Sequence, residues 1–407
     1  MKVFNKPDNS KFIIILSAGK PPIGSWHQRI KMFNLGFKAH NYELIHLVPY
    51  YPPTHEAKSI SPSYIKYCLK PVKNRKRNLL TPLVACIGMV KAVLILLRLD
   101  NIKFILVPGL NFVQGFAALL VAKRKKIPLY AEIADENTHI YREGKSKAFI
   151  DFIAKYNQIA YEKYILERAD KIYVFSTYLL DKYNRMFPEH KDIQLTVPSL
   201  IDIDYFDLLT KNSINGIHQD NIELLNSNYP KIVYAGACNR PNGLFFFLDA
   251  AAKIKKVNGI KFYIFFFFVY GDVDKVKQYC EELDLNENVF FFMPVESKMI
   301  PAIYSKADIL LLPEQGNIIA NAGFPGKTSE LLASGKAILA TEFSDLKLYL
   351  KNEINAMITP IGDFDQYSSN LLRLLNEPEL RKSIGLQARN TAQEYFDAKK
   401  GVYKYLL

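Results

Sequence analysis

Short runs of consecutive apolar residues alternate with helix-like stretches along the first half of the chain. The runs are Lys11–Ser17, Tyr42–Val48, Phe104–Val107, Leu129–Ile133 and Lys171–Ser176. Continuous apolar runs bounded by turn residues are typical of strands that are buried on both faces of a parallel sheet. A helical pattern begins near Ser25, after a loop rich in glycine and proline. Strand, loop and helix repeated in this way predict a doubly wound parallel sheet.

A second series of the same kind begins after residue 200. Its apolar runs are Lys231–Gly236, Lys261–Tyr270, Asn288–Phe292, Ile309–Leu312, Ala337–Ala340 and Ala356–Ile358. The block Phe265–Phe268 is interpreted as part of a central buried strand rather than as an interaction surface. Pro378–Tyr395 has the spacing of a long amphipathic helix. The 407 residues also exceed one ordinary core, so we predict an α/β protein of two domains that divide near residue 200.

Positive charge is concentrated in the first half. Residues 1–200 hold 31 Lys and Arg against 15 Asp and Glu, whereas residues 201–407 hold 22 against 25. A basic half attracts anionic lipid, nucleic acid or a phosphorylated substrate, or is simply a solvated face. No nucleic-acid partner is expected, because the basic clusters lack interleaved aromatic residues and any docking motif.

Membrane insertion and secretion are not expected from this sequence. The most apolar long run, Leu79–Leu97, contains Pro82 and Lys91, which favour a buried or surface-lying helix over a membrane span. The apolar run at residues 12–16 is too short for a signal peptide. The four cysteines make no CxxC pair and no zinc spacing, as expected of reduced thiols in a cytosolic protein.

The stretch Phe324–Thr341 is the most informative for chemistry. It predicts a loop, a helix over Thr328–Ala333 and then a buried strand. The amides at the helix N-terminus, with the charge of Lys327 beside them, predict an anion site. Glu330, in the first turn, is placed to accept hydrogen bonds from vicinal hydroxyls. A nucleoside diphosphate requires this combination.

Two better-known phosphate motifs are absent from the sequence. A Walker A loop would need glycine at position 321, which is Asn321, and no GxGxxG fingerprint follows any predicted strand. Thr328 or Ser329 is expected to cap the helix. Taken alone, the segment is equally consistent with plain α/β packing.

Seven segments, in sequence order across nearly the whole chain, resemble glycosyltransferase family 4. They are Pro22–Arg29, Leu166–Ser176, Val197–Phe206, Ile232–Leu244, Asn288–Val295, Ala307–Pro313 and Phe324–Thr341. The resemblance implies retaining enzymes of the GT-B fold, in which two Rossmann-like domains face each other across a cleft. It implies an acceptor domain over residues 1–200 and a nucleotide-sugar donor domain over residues 201–385. It also implies that a C-terminal helix over residues 386–407 packs back on the first domain.

The resemblance also implies roles for individual residues. Glu330 matches the second glutamate of the family's E-x7-E motif, which holds the donor ribose, and Lys327 faces the phosphates. The implied donor-binding residues are Gly24, Gly236, Asn242, Val289, Met293, Gly326, Thr328, Ser329 and Glu330. The implied catalytic residues are Lys327, Arg240 and Asp135. The implied acceptor contacts are His27, Arg29, Glu136 and His139. For Asp135 and Glu136 a helix N-cap pair is an equally open interpretation, and lone loop histidines are more often merely solvated.

The chain departs from the family pattern where cations and an acid are usual. Ala322 stands at the first glutamate of E-x7-E, and Ala237 and Asn242 stand where Arg and Lys are usual. Arg240 lies between the latter two and supplies one charge. Loss of one such donor costs on the order of a hundredfold in rate. The alternative to an active enzyme is therefore a catalytically impaired subunit that binds sugar nucleotides.

The resemblance implies transfer of a hexose-type sugar from a UDP-sugar or GDP-sugar to a saccharide or lipid-linked acceptor, with retention. The diphosphate itself takes the acceptor proton in such a mechanism, and no metal or other cofactor is expected. Surface polysaccharide or glycan biosynthesis is the expected context. With the basic first half, this predicts a cytoplasmic protein that is peripheral on the inner face of an anionic membrane.

Overall fold

A computed structural model describes residues 11–17, 25–48, 64–67, 81–134, 148–197, 199–212, 223–238, 242–271, 273–292, 295–314 and 323–406. These residues group into two compact units. The first unit holds the residues up to 200 together with those from 398 onward, and the second holds residues 201–397.

The first unit contains a seven-stranded sheet whose neighbouring strands are all parallel. Its strands are β1 (Lys11–Leu16), β2 (Tyr42–Val48), β3 (Ile65–Tyr67), β4 (Ile102–Pro108), β5 (Leu129–Ile133), β6 (Lys171–Val174) and β7 (Ile193–Leu195). The spatial order is β3-β2-β1-β4-β5-β6-β7. The five predicted apolar runs are strands, which confirms the predicted sheet. The two edge strands β3 and β7 were not predicted, because three residues leave too little apolar sequence to be recognised.

Helices cover both faces of this sheet. They are α1 (Ser25–Ala39), α2 (Thr81–Arg98), α3 (Phe112–Lys125), α4 (Ala148–Tyr164) and α5 (Thr177–Met186). Alternate residues of β1 enter different cores: Ile14 packs with α2, α3 and α4, whereas Ile13 packs with α1. This is the two-sided burial that a doubly wound sheet requires.

The second unit contains a six-stranded parallel sheet. Its strands are β8 (Lys231–Cys238), β9 (Tyr263–Gly271), β10 (Val289–Phe292), β11 (Ile309–Leu312), β12 (Ala337–Glu342) and β13 (Met357–Pro360). The order is β10-β9-β8-β11-β12-β13. Phe265–Phe268 lie in β9 and are fully buried, so the predicted central strand is confirmed.

The helices of the second unit follow the predicted alternation. They are α6 (Ile203–Thr210), α7 (Asn242–Asn258), α8 (Asp274–Glu282), α9 (Ile300–Lys306), α10 (Thr328–Ala333), α11 (Leu346–Tyr349), α12 (Phe364–Asn376) and α13 (Pro378–Thr391). The helix over Thr328–Ala333 has the predicted bounds. The amphipathic run expected to reach Tyr395 changes at Thr391 into a π-helical turn, Ala392–Phe396.

The C-terminal segment divides between the units. Residues to Asp397 belong to the second unit, and those from Ala398 onward belong to the first. There Val402 and Tyr405 are buried in the core under α1. A Cβ on Gly36 of α1 would lie 2.3 Å from the carbonyl oxygen of Ala398, so this close packing requires glycine.

The apolar run around Leu79–Leu97 forms α2, a helix with one buried and one exposed side, as the surface-lying alternative predicted. Within the described ranges, no helix is both long and apolar enough to cross a bilayer.

Candidate functional site

The second sheet has a topological switch point between β8 and β11. The strands on one side of this pair are β9 and β10, and those on the other side are β12 and β13. In open α/β sheets the connections diverge at such a point and leave a crevice outside the carboxyl ends of the strands, where ligands bind. A ligand at this point would contact the residues that follow β8 and β11 and the residues that lie beside them.

Lys327 reaches this crevice from the N-terminus of α10. Its Nζ donates a hydrogen bond to the hydroxyl of Tyr234 at 3.2 Å and lies 4.4 Å from the centroid of that ring. A Cβ built on Gly236 would lie 1.9 Å from the same Nζ. Gly236 thus leaves the space that the ammonium group occupies at the carboxyl end of β8. The structure brings these two predicted donor-site residues together.

Two carboxylates act on this lysine. Burial lowers the pKa of Lys327, and the charges of Glu314 and Glu330 oppose that shift. Desolvation by the surrounding protein raises the pKa of Glu330, and the charge of Lys327 opposes it. Solvent nevertheless reaches the Glu330 side chain. Glu330 therefore does not point into packed interior, and it remains accessible to a ligand.

The start of α10 differs from the expected cap. The N-cap position is Lys327, and neither Thr328 nor Ser329 provides a side-chain cap, so that prediction is wrong. The Thr328 hydroxyl donates to the carbonyl of Pro325 at 2.8 Å, and its amide donates to the same oxygen at 3.0 Å. Thr328 and Ser329 are both buried, while Gly326 is exposed with open space where a Cβ would lie. The hydroxyl and the amide of Thr328 are therefore both bound to the Pro325 carbonyl within the turn.

A close contact of Gly243 places the start of α7 beside the end of β11. A Cβ on Gly243, in the first turn of α7, would lie 1.7 Å from the carbonyl oxygen of Pro313. Since Pro313 follows β11 directly, this contact fixes the start of α7 against the switch point. Asn242 begins the same helix.

Two predicted residues lie away from the positions their roles need. Val289 is buried at the amino end of β10, whereas the crevice lies at the carboxyl ends, so strand polarity separates it from the site. Arg29 is buried in the first unit, where its Nη2 lies 2.6 Å from Glu132 Oε1 and its Nη1 donates to the carbonyl of Val197 at 2.9 Å. The predicted acceptor contact at Arg29 is wrong, because its charge is already satisfied inside the core.

Sequence reasoning missed Tyr234 and Glu314, both of which act directly on Lys327. Tyr234 precedes Gly236 by two residues in β8, so the two lie on the same face of the strand. This spacing would have identified Tyr234 from the sequence. Glu314 follows Pro313 at the end of β11 and carries no motif of its own.

Several predicted residues or their side chains lie outside the part of the chain that the structure describes. They are Gly24, Asp135, Glu136, His139, Arg240 and Met293, together with Ala322 and the side chains of His27, Ala237 and Asn242. Among the residues that the structure does describe, no group of three His, Cys, Asp or Glu side chains is arranged to hold a metal ion.

Two doubly wound parallel-sheet units in one chain are the architecture of the GT-B fold. Residues 217–391 match the family model described as glycosyl transferases group 1. The matched group 1 domain lies within the second unit. An uncharacterised glycosyltransferase of Methanocaldococcus jannaschii is 22% identical over 298 residues, which cover 72% of this chain and 71% of that protein.

Solved structures agree on the fold. A glycosyltransferase of Rickettsia africae has a TM-score of 0.67 at 15% identity, covering 98% of this chain and 97% of that one. Anabaena HepE in complex with UDP has a TM-score of 0.66 at 13% identity, covering 97% of this chain and 99% of that one. At these identities the likeness shows that the chain has the GT-B fold, as the sequence predicted.

Proposed function

We propose that the protein transfers a hexose from a UDP-sugar or GDP-sugar to a saccharide or lipid-linked acceptor, with retention of configuration and without a metal. We place it in surface polysaccharide or glycan biosynthesis. The observation that carries this proposal is the position of Lys327 Nζ over Gly236, at the switch point, with Glu330 accessible one turn along. Anabaena HepE, which has a similar fold, has been solved with UDP and with UDP-glucose, and this supports a uridine donor.

In the proposed reaction the bond between the sugar and the diphosphate breaks while the acceptor oxygen bonds to the same face of the sugar. The leaving diphosphate takes the acceptor proton, so no protein base is required. The ammonium of Lys327 stabilises the negative charge that develops on the diphosphate. It is already positioned by Tyr234, so little reorganisation is needed when that charge appears. Glu330 accepts hydrogen bonds from the ribose hydroxyls.

A thermal-shift screen with UDP, GDP, ADP and their sugars tests the donor site. A ligand that binds the folded state raises apparent stability by mass action, about 2.7 kcal/mol at a concentration 100 times its Kd. We expect a shift with one base and its sugars. Lys327→Met should reduce it, whereas Lys382→Met, which removes an exposed lysine paired with Glu379, should leave it unchanged. Absence of a shift with every nucleotide, or an equal loss in the two variants, would contradict the proposal.

The alternative is an impaired subunit that binds the donor without transfer. Ala237 in β8 and Asn242 at the start of α7 favour it, because they stand where the family usually has Arg and Lys. Donor hydrolysis and transfer assays against a panel of acceptors separate the two functions. Binding without turnover for any donor that gives a shift would favour the alternative.

We further propose that the protein is cytoplasmic and acts at the surface of an anionic membrane. The excess of Lys and Arg in residues 1–200 supports this association, because juxtamembrane basic residues each contribute about 1 kcal/mol near such a surface.

A further inference from the structure

Three helices of the first unit share one face of its sheet. Residues of α2, α3 and α4 enter a single core cluster: Met89 and Leu96 from α2, Ala118 from α3 and Tyr161 from α4. The helices also contact one another in sequence order, α2 with α3 and α3 with α4. Their outer sides therefore form one continuous layer over the sheet.

This outer layer is apolar where a solvated face would be polar. Large hydrophobic side chains point outward from all three helices, each between 38% and 60% exposed. We call this set the outer face; it consists of Ile87, Val90, Leu94, Leu97, Val113, Phe116, Leu120, Phe152, Tyr156 and Ile159. On each helix the members recur three or four residues apart, so they line one stripe. Exposed apolar residues scattered singly need no explanation, but a contiguous patch marks an interaction site.

Aromatic contacts join the stripes of α3 and α4. The ring of Phe112 lies 5.7 Å from that of Phe116 on the same helix and 6.1 Å from that of Tyr164 on α4. Phe152 and Tyr156 of α4 also contact each other at 4.4 Å. Tyr156 and Tyr164, which join an apolar ring to a polar hydroxyl, are suited to the boundary between lipid and water.

The charges around the outer face are predominantly positive. Helices α2 and α3 contain no Asp or Glu but five basic residues, which are Lys91, Arg98, Lys123, Arg124 and Lys125. Of these, Lys125 pairs with Asp100 at 3.4 Å. Helix α4 adds Lys155 and Lys163, which are both exposed, and contains two acids, Asp151 and Glu162. Its Glu162 accepts hydrogen bonds from Gln158 and Tyr183, so that carboxylate is held by neighbours in the unit. An apolar stripe with a basic margin is the pattern of surfaces that lie on anionic bilayers.

A second copy of the chain is the other obvious partner, and charge argues against it. A two-fold interface would place the same patch on both subunits, so the basic margins would face each other. Like charges brought together without acidic partners oppose association. Anionic lipid headgroups, in contrast, are opposite in charge to the basic residues around the outer face.

We propose that the outer face inserts its apolar side chains into the interface of an anionic bilayer while the surrounding lysines and arginines bind the headgroups. This proposal rests on the membrane association in the proposed function and names the surface that performs it. Because apolar insertion is not screened by salt, binding persists in part at about 1 M NaCl, where the Debye length is about 3 Å. A purely electrostatic attachment would be lost there.

Co-flotation of the full chain with vesicles of POPC, and of POPC mixed with anionic POPG, tests the surface. We expect binding to the mixed vesicles. The double variant Ile87→Gln, Leu94→Gln should weaken it about tenfold or more, and Lys123→Gln, Arg124→Gln should weaken it about fivefold per charge. The matched control is Val257→Gln, Leu386→Gln, which alters exposed apolar residues of the second unit and should bind as the parent does.

Two outcomes would overturn the proposal. One is absence of binding to the mixed vesicles, or an equal loss in the control. The other is a concentration-dependent dimer that the Ile87 and Leu94 changes convert to monomer without any vesicle binding, which would make the face an interface between copies. Thermal unfolding and the nucleotide shift are measured on every variant. A normal nucleotide shift without vesicle binding contradicts this inference and the proposed membrane association but not the donor site. Vesicle binding without a nucleotide shift contradicts only the donor site.

Discussion

Arg29 and Glu132 form a two-pronged ion pair inside the first unit. The Arg29 Nη2 lies 2.6 Å from Glu132 Oε1, and its Nε lies 3.2 Å from both carboxylate oxygens. The hydroxyl of Tyr405 hydrogen-bonds to Glu132 and accepts from Arg29 at 2.8 Å. The pair therefore links α1, the carboxyl end of β5 and the C-terminal segment. Its role is to hold that segment in place.

Removing one partner of this pair should destabilise the fold strongly. Arg29→Met leaves the carboxylate of Glu132 buried without its cation, and an uncompensated buried charge typically costs about 3–5 kcal/mol. We expect the double variant Arg29→Met, Glu132→Met to be more stable than Arg29→Met alone, because no charge is left behind. Urea denaturation followed by circular dichroism measures both.

The control for this pair is an exposed one. Lys382→Met removes a partner of Glu379 on the surface of α13, where a salt bridge contributes at most about 1 kcal/mol. If Arg29→Met were no more harmful than Lys382→Met, the buried pair would not have the structural role described.

The sheets were predictable because their sequence signal is local. Every strand of four or more residues overlaps a predicted apolar run. The strand Ile309–Leu312 has the same bounds as the run that predicted it. Side-chain roles depended on tertiary position, which the sequence does not record. Arg29 lies in a helix whose loop resembles a ligand loop, yet its partners, Glu132 and Tyr405, are 103 and 376 positions away.

The donor site was partly predictable for the same reason. Lys327 and Gly236 belong to motifs, and the structure brings them together. The cap at Thr328 was wrong because Pro325, three residues before it, offers its carbonyl to both donor groups of that threonine. Val289 was predicted to contact the donor because it belongs to the strand β10. It lies at the amino end of that strand, however, and only the carboxyl end adjoins the crevice.

Gly243 and Gly326 should respond oppositely to alanine. A Cβ at Gly243 would meet the backbone oxygen of Pro313 at 1.7 Å, and backbone cannot rotate away, so Gly243→Ala should cost about 1–3 kcal/mol or more. No atom lies within 4 Å of a Cβ at Gly326, so Gly326→Ala should change stability by no more than about 0.5 kcal/mol. Urea denaturation compares the two. Equal stability would show that α7 does not pack on the end of β11 as described.

Gly236→Ala should weaken binding and should also cost some stability, because Gly236 has a φ of +159°, where a residue with a side chain is strained. Its Cβ would lie 1.9 Å from Lys327 Nζ, and the end of a lysine side chain moves at little cost. The ammonium would then leave the switch point, and we expect about a tenfold loss of nucleotide affinity, equivalent to about 1.4 kcal/mol. Isothermal titration with the nucleotide that gives the largest thermal shift measures it. Unchanged affinity of the folded variant would mean that the position of Lys327 does not matter for the ligand.

The pH dependence of donor binding should report Glu330 and Lys327 separately. Desolvation raises the pKa of Glu330, so its carboxylate is protonated, and stops accepting from the ribose, at a higher pH than an ordinary glutamate. Affinity should therefore decline as the pH falls through that raised pKa. Burial lowers the pKa of Lys327, so its charge is lost, and affinity declines again, at a lower alkaline pH than for an ordinary lysine. The measurement is the Kd of a nucleotide sugar across pH, because its diester phosphates keep a constant charge over this range. Glu330→Gln should remove only the acid-side decline and Lys327→Met only the alkaline-side decline. A profile that keeps both declines in both variants would assign the titration to other groups.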